Sequence, residues 1–460
     1  MPTKKRATDE LGYGSIGKLL LNYSLPAIAS MTVASLYHII DRIFIGQGVG
    51  ALAITGLALT FPVMNLAAAF GSLVGSGAST MISIRLGEKK VSSATRFLGN
   101  AMVINLIIGL LFAGAGLFFL DSILYAFGAS KDTIPYARDF MRIILYGNLF
   151  SHTFFCLNNI LRATGYPTKA MAITIMTVAI NFVLAPIFIF WFEWGIKGAA
   201  WATVIAQFCG MTATITHYFN RKNTIYFQKR YFRIKSSVVA RIFEMGMSSF
   251  LINFCACIVV IILNHSLKKH GGDLAIGAYG IINSILGLVV MIIFGLNMGM
   301  QPIVGYNYGA KQYARVLLTL RYALIIGTCI STFGFLLGEI FPWYIARAFT
   351  KDETLIALTV EGLRITILLF PLVGAQVVAS SFFQAVGKPK ISIFLSMSRQ
   401  ILFMIPALLI LPHYFDLRGV WLAIPVSDFI ASALTIAVLY FHYKHLKRKI
   451  AGQNSILYKN

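Results

Sequence analysis

Apolar residues in this chain gather into long runs separated by short polar stretches. Runs of about 20 apolar residues are long enough to cross the hydrocarbon core of a bilayer as a helix. Twelve can be drawn, at residues 18–46, 53–84, 98–120, 135–158, 167–191, 195–218, 239–265, 274–306, 315–340, 357–382, 390–411 and 417–442. Several are longer than a span needs, which implies tilted helices that project beyond the hydrocarbon. Proline falls inside many of them: Pro26, Pro62, Pro186, Pro302, Pro371, Pro406 and Pro425. Each removes a backbone donor and favours a kink. The pattern predicts an all-α polytopic membrane protein of twelve transmembrane helices.

The halves repeat. A shift of 222 residues sets Leu52-Ala53-Ile54 on Leu274-Ala275-Ile276, Gly77 on Gly299, Gly87 on Gly309 and Lys89 on Lys311. It also sets the Asp139/Arg142 couple on Glu361/Arg364, and Gly165 and Pro167 on Gly387 and Pro389. One residue of slip then sets Gly198 and Ala202 on Gly419 and Ala423. Six spans is an even number, so both halves keep one orientation and are related by a pseudo-two-fold axis along the membrane normal. Residues 1–218 form the expected N-terminal six-helix lobe, 219–238 a cytoplasmic linker and 239–460 the C-terminal six-helix lobe. Two lobes facing a central cavity are the expected architecture.

Composition and charge agree. The chain is 58% hydrophobic and 12% charged, against about 25% charged in soluble proteins. The net charge of +23 would suggest nucleic acid in a soluble chain. Here it reads as the Lys and Arg excess of cytoplasmic loops, and no nucleic-acid partner is expected. Basic residues crowd the N-terminus, every second loop and the C-terminal run Lys444, Lys447, Arg448 and Lys449. The alternate loops hold few, so both termini are expected in the cytoplasm of a bacterial cell, the protein being multi-pass in the inner membrane. The five cysteines all lie in apolar segments and read as small packing residues.

Acids are scarce, and only Asp41 and Asp428 lie deep inside spans. An ionised carboxylate in hydrocarbon is costly, so such a residue is a functional candidate. Tyr37 sits one turn before Asp41 on the same helix face. By helical rise, Asp41 lies about 8 Å, Asn181 about 15 Å and Thr203 about 10 Å from the outer ends of their spans. A carboxylate, an amide and a hydroxyl at one level could hold Na⁺, and the carboxylate alone suffices for H⁺. Their repeat counterparts are Leu263, Phe403 and Ile424, none of which can ligate. Asp428 is a secondary candidate. Asn283, Asn297, Gln301 and Met298 on the eighth span could line an adaptable substrate cavity. The Asp139/Arg142 and Glu361/Arg364 couples predict i,i+3 pairs. No catalytic constellation appears, no enzyme activity or cofactor is expected, and no metal site beyond Na⁺ at Asp41.

The acid-bearing first span followed by Gly46-Gln47-Gly48, Leu86-Gly87, the run Arg162–Pro167 and the run Gly198–Thr203 together resemble the multidrug and toxic compound extrusion family. The similarity runs over nearly the whole chain and is greatest to the staphylococcal multidrug exporters. It implies a twelve-helix, two-lobed antiporter that expels organic, mostly cationic and lipophilic drugs against inward H⁺ or Na⁺. It places the family's helix 1 acid on Asp41, its helix 5 amide on Asn181 and its helix 6 hydroxyl on Thr203. Some members carry a second acid where this chain has Ala185, and others place acids on helices 7 and 10 that have no match here. Both departures leave Asp41 as the sole coupling acid. A monomer in the lipid bilayer, acting on small molecules, is expected. The alternative is a lipid-linked oligosaccharide flippase of the same superfamily, which would need a basic cavity; Arg142, Arg364 and Arg399 are its candidates beyond Arg42.

Overall fold

The structure is a computed structural model that describes residues 10–49, 51–127 and 131–457. The side chains of residues 37–39, 42–43, 46–47, 51–52, 54–55, 58, 273 and 452–457 lie outside that description. Among the described residues there are only helices and their connections. The spans are α1 (Ile16–Gly48), α2 (Ala51–Gly87), α3 (Val91–Phe118), α4 (Ile134–Ala163), α5 (Pro167–Pro186) and α6 (Gly195–Phe219). Then follow α7 (Ser236–Gly272), α8 (Leu274–Gly309) and α9 (Tyr313–Ile340). The tenth, α10, is a pair, Glu353–Ile367 and Phe370–Ala385.

Among the described residues ten helices are each long and apolar enough to cross a bilayer, and the bent pair taken as one span makes an eleventh. The stretch Pro389–Ala451 is 63 residues long, about three bilayer thicknesses at 1.5 Å per residue. It breaks at Asp416 (φ 47°, ψ −130°). Residues 389–415 therefore form α11 and 417–457 form α12, and the spans number twelve.

The helix ends follow the repeat. Gly165 and Gly387 take φ of 95° and 72°, and Lys89 and Lys311 take 59° and 60°. Each follows a helix whose last turn is closed by a six-residue backbone bond: Tyr166 N–H to Leu161 O at 3.1 Å and Lys388 N–H to Phe383 O at 2.9 Å in one pair. In the other pair Lys90 N–H reaches Arg85 O and Gln312 N–H reaches Asn307 O. This is the Schellman closure, which needs one residue in the left-handed region. Short helices Leu120–Ala126 and Pro342–Phe349 also fall on each other at the same spacing.

Two sequence expectations need correction. The tenth span is not one helix but two, bent by 52°. Pro371 stands in the first turn of the second piece, where its missing N–H and its ring prevent continuation from Ile367. The i,i+3 couples do not form. Asp139 instead meets Lys197 of α6 at 3.2 Å, Glu361 meets Arg418 of α12 at 2.7 Å, and Arg364 faces Glu339 of α9 at 3.8 Å. Side chains on a helix lean toward its N-terminus, which carries these acids toward the starts of neighbouring spans. Lys197 and Arg418 occupy equivalent positions, so the repeat holds even though the partners differ from those expected. The polar stretch after α6 is seated on α3 by hydrogen bonds. Asn100 of α3 donates to Tyr231 O at 3.0 Å and Arg233 O at 3.2 Å, and its Oδ1 accepts from Lys235 N–H at 2.8 Å.

The chain divides into two compact units. One comprises Met1–Tyr13 with Ala29–Asn253, the other Gly14–Ile28 with Phe254–Asn460. The boundaries thus fall inside α1 and α7 rather than in loops. Close backbone packing explains this. In the first unit a Cβ on Gly77 would meet the Ile242 carbonyl oxygen, and one on Gly246 the Leu73 carbonyl oxygen. In the second, a Cβ on Gly295 would lie 2.6 Å from Ile28 Cα, and one on Gly299 would meet Ser24. Ser24 Oγ also donates to Leu296 O at 3.3 Å. The first half of α7 therefore packs against α2, and the first half of α1 against α8, at equivalent positions of the repeat. Gly246→Ala is expected to destabilise the protein by about 1–3 kcal/mol, the usual range for overpacking. Gly280→Ala, with nothing within 4 Å of the added methyl, should not. Thermal unfolding of the two purified variants in detergent checks the contrast, and equal midpoints would refute it.

Candidate functional site

In the first unit Asp41 on α1 is 7% exposed and Asn181 on α5 is 3% exposed. They share one cavity of about 170 Å³. Its remaining walls are apolar: Val33, Ile40 and Phe44 from α1, and Ile175, Val178, Ala179 and Phe182 from α5. The Asn181 amide donates through Nδ2 to Thr203 Oγ1 on α6 at 3.1 Å, and Thr203 donates in turn to Ala199 O at 3.1 Å. With Nδ2 committed, Asn181 keeps its Oδ1 as an acceptor. Thr203 Oγ1 thus accepts from the Asn181 amide while donating to the backbone, which orients the amide.

Three helices thus bring Asp41, Asn181 and Thr203 to one level, as the helical rise implied. The side chain of Tyr37 lies outside the described residues. Ala185, one turn after Asn181, is fully buried in an apolar cluster with Ile45, Ile189 and Ala202. No second carboxylate stands at that position.

The second unit is built differently. Leu263, the counterpart of Asp41, is part of an apolar core, and Ile424 packs against it. Asp428 on α12 is 1% exposed and is bound by Arg399 of α11, Nε to Oδ1, at 2.7 Å. Arg399 lies in a π-helical segment, Ser398–Met404, a widened turn of the kind often found where a side chain must be re-aimed. Asp428 is therefore a paired acid. Of the residues expected to line a substrate cavity, Asn297 donates to Val377 O at 3.5 Å and Gln301 to Gln384 Oε1 at 3.4 Å. These two join α8 to α10 within the unit. Asn283 is exposed and Met298 half-buried.

Sequence reasoning missed several features. Phe44 lies against Phe182 and Phe190, ring centroids 5.8 and 6.4 Å apart, so aromatic rings flank the Asp41 cavity. Their i,i+3 offset from Asp41 and proximity to Asn181 could have indicated this. Arg399 was seen only as a lone intramembrane cation; its 29-residue separation from Asp428 carries no periodic signal. Arg162 is buried and donates to Asn159 Oδ1 at 3.2 Å. His152 is buried with its ring stacked on Phe112 at 6.2 Å. Among the described residues no group of three His, Cys, Asp or Glu could hold a metal ion.

The MatE family model matches residues 26–187 and 245–409 of this chain. Multidrug export protein MepA of Staphylococcus haemolyticus (strain JCSC1435) is 27% identical over 428 residues, covering 93% of this chain and 94% of that protein. A solved structure described as the outward-facing conformation of a multidrug resistance MATE family transporter of the MOP superfamily is 24% identical with a TM-score of 0.91. It covers 97% of this chain and 100% of its own; at that identity the likeness is one of fold. A structure named protein A is 36% identical with a TM-score of 0.88, covering 95% of this chain and 98% of that one.

Proposed function

Because the chain belongs to the MatE family, we propose that it is a secondary antiporter that exports lipophilic organic cations in exchange for H⁺. It acts as a monomer in the bacterial inner membrane, with both termini cytoplasmic. Relatives named multidrug export proteins support the drug-export reading. The observation that carries the coupling site is the pairing of Asp41 and Asn181 in one cavity with otherwise apolar walls.

Between Na⁺ and H⁺ the donor set favours H⁺. Sodium, like other hard cations, needs several oxygens around it. Among the described residues that line this cavity only Asp41 and Asn181 bring side-chain oxygens, and Ala185 stands where a second acid would. A single proton neutralises Asp41 and removes the cost of its charge in hydrocarbon. Neutralisation biases the protein between outward-open and inward-open states, and only such a difference in ion affinity can drive coupling. Asn283 and Met298 are the better substrate contacts of the four expected on α8. Asp428, bound by Arg399, is the secondary candidate for coupling.

The flippase reading is weaker. Two of its three basic candidates beyond Arg42 face acids: Arg399 binds Asp428 and Arg364 faces Glu339.

In proteoliposomes loaded with an ethidium-like dye, an imposed pH gradient without Na⁺ is expected to drive transport, and comparable anionic dyes should not move. Transport driven by a Na⁺ gradient at equal pH on both sides would overturn the choice of ion.

A further inference from the structure

Near the end of α12 and at Lys388, just before α11, lies a set of cations that makes no ion pair among the described residues. His442 is 7% exposed and packs on Phe382 and Phe383, ring centroids 6.1 and 5.2 Å away. Its Nδ1 lies 3.1 Å from Lys388 Nζ. An ammonium can only donate, so Nδ1 accepts, the imidazole is neutral and its proton is on Nε2. That Nε2 is buried and meets no partner among the described residues. A buried donor without an acceptor is costly, which marks the place for one from outside the chain.

The surroundings say what kind. His445 stacks on His442 at 6.1 Å, and the charge of Lys449 bears on both Lys388 and His442. Burial first, and the Lys449 charge second, push the Lys388 ammonium below the usual lysine range. Neither Lys388 nor Lys449 makes an ion pair among the described residues. An anion with several oxygens suits such a site.

The adjoining residues bear on its source. Tyr440, Phe441 and Tyr443 are exposed on the same turns, Phe441 at 71%, with Lys444 and Lys447 over the Tyr440 and Tyr443 rings. Exposed aromatic rings beside basic residues are the signature of the membrane–water boundary. Another Lys–His couple occurs in the other half, at positions that are not its repeat counterparts. Lys169 Nζ lies 3.0 Å from His217 Nδ1 near the end of α6, with Tyr166, the repeat counterpart of Lys388, packed 4.7 Å from the His217 ring.

We propose that Lys388, His442 and Lys449 form a seat for the phosphate of an anionic phospholipid, whose acyl chains lie against Tyr440 and Phe441. Basic residues at the surface of an anionic leaflet strengthen lipid binding additively. The His442 donor adds a directional contact that a diffuse basic patch lacks.

The test uses the full-length protein purified in neutral detergent, with short-chain phosphatidylglycerol, short-chain phosphatidylcholine and inorganic phosphate as probes. Phosphatidylglycerol is expected to raise the unfolding temperature and to remain bound in native mass spectra, while phosphatidylcholine does neither. The double variant Lys388→Gln/Lys449→Gln should bind phosphatidylglycerol roughly tenfold or more weakly. Should that variant not be recovered folded, Lys449→Gln alone carries the same expectation in direction. Equal binding by variant and wild type, or equal retention of phosphatidylcholine, would overturn the seat. Stabilisation by inorganic phosphate as strong as by phosphatidylglycerol would overturn the lipid assignment.

Discussion

Asp41→Asn is expected to insert and fold, and to lose gradient-driven efflux. The substitution keeps the size of the side chain and mimics the neutral form, so the cavity walls of α1 and α5 remain packed. The difference between loaded and empty states disappears, because nothing at this position can any longer take up or release a charge. An ion shifts a conformational equilibrium only by its differential affinity for the two states. Coupling energies of 1–3 kcal/mol correspond to about 5- to 150-fold changes in ligand affinity, and a fall in ethidium efflux of that order is expected. Energised vesicles at matched protein levels are the assay. Undiminished efflux that still collapses with the ion gradient would reject Asp41 and move the search to Asp428. Thr203→Ala should act more mildly, because Thr203 holds the Asn181 amide rather than the ion.

Removing Arg399 is expected to harm the protein more than removing Asp428. Asp428 is almost wholly buried, whereas the Arg399 side chain is 29% exposed. Arg399→Met leaves a buried carboxylate with no counter-ion, a change that costs about 3–5 kcal/mol. Asp428→Asn leaves an arginine that can extend its long stem toward water, and the remaining amide can still accept its hydrogen bond. The pair Arg399→Met with Asp428→Leu should recover most of the loss, since apolar replacements of buried ion pairs are often neutral. Thermal unfolding of the three variants measures this. If Arg399→Met proves as stable as wild type, the ion pair does not hold α11 to α12. If Asp428→Asn folds normally yet abolishes efflux, Asp428 belongs to the transport cycle.

How far the sequence leads depends on whether a property is set along one helix or between helices. Asp41 stands out because an acid in an apolar run is costly wherever its neighbours are. Its nearness to Asn181 and Thr203 is expected from the rise per residue; the structure puts Asp41 and Asn181 in one cavity and bonds Asn181 to Thr203 at 3.1 Å. The repeat match of Lys89 with Lys311 and of Gly165 with Gly387 is legible, and the structure places all four in the left-handed region. The i,i+3 couples failed because a charged side chain chooses between its own helix and the next. Asp139 chose Lys197, and Glu361 chose Arg418. The tenth span was drawn as one helix although Pro371 was visible, because hydropathy does not register a bend.

The sequence by itself determined twelve spans, a twofold repeat and a single deep acid in the first lobe. Hydrocarbon demands internally bonded helices of a minimum length and penalises every isolated charge. Only the tertiary structure decided which side of each helix meets which neighbour. It neutralised Asp428 with Arg399, left Asp41 beside an amide in an apolar cavity, and set the unit boundaries inside α1 and α7. Those outcomes depend on helix rotation and on where glycine lets two backbones approach, as at Gly77 and Gly246. A one-dimensional pattern carries no record of either, because contacts between distant segments are selected by packing complementarity and not by period.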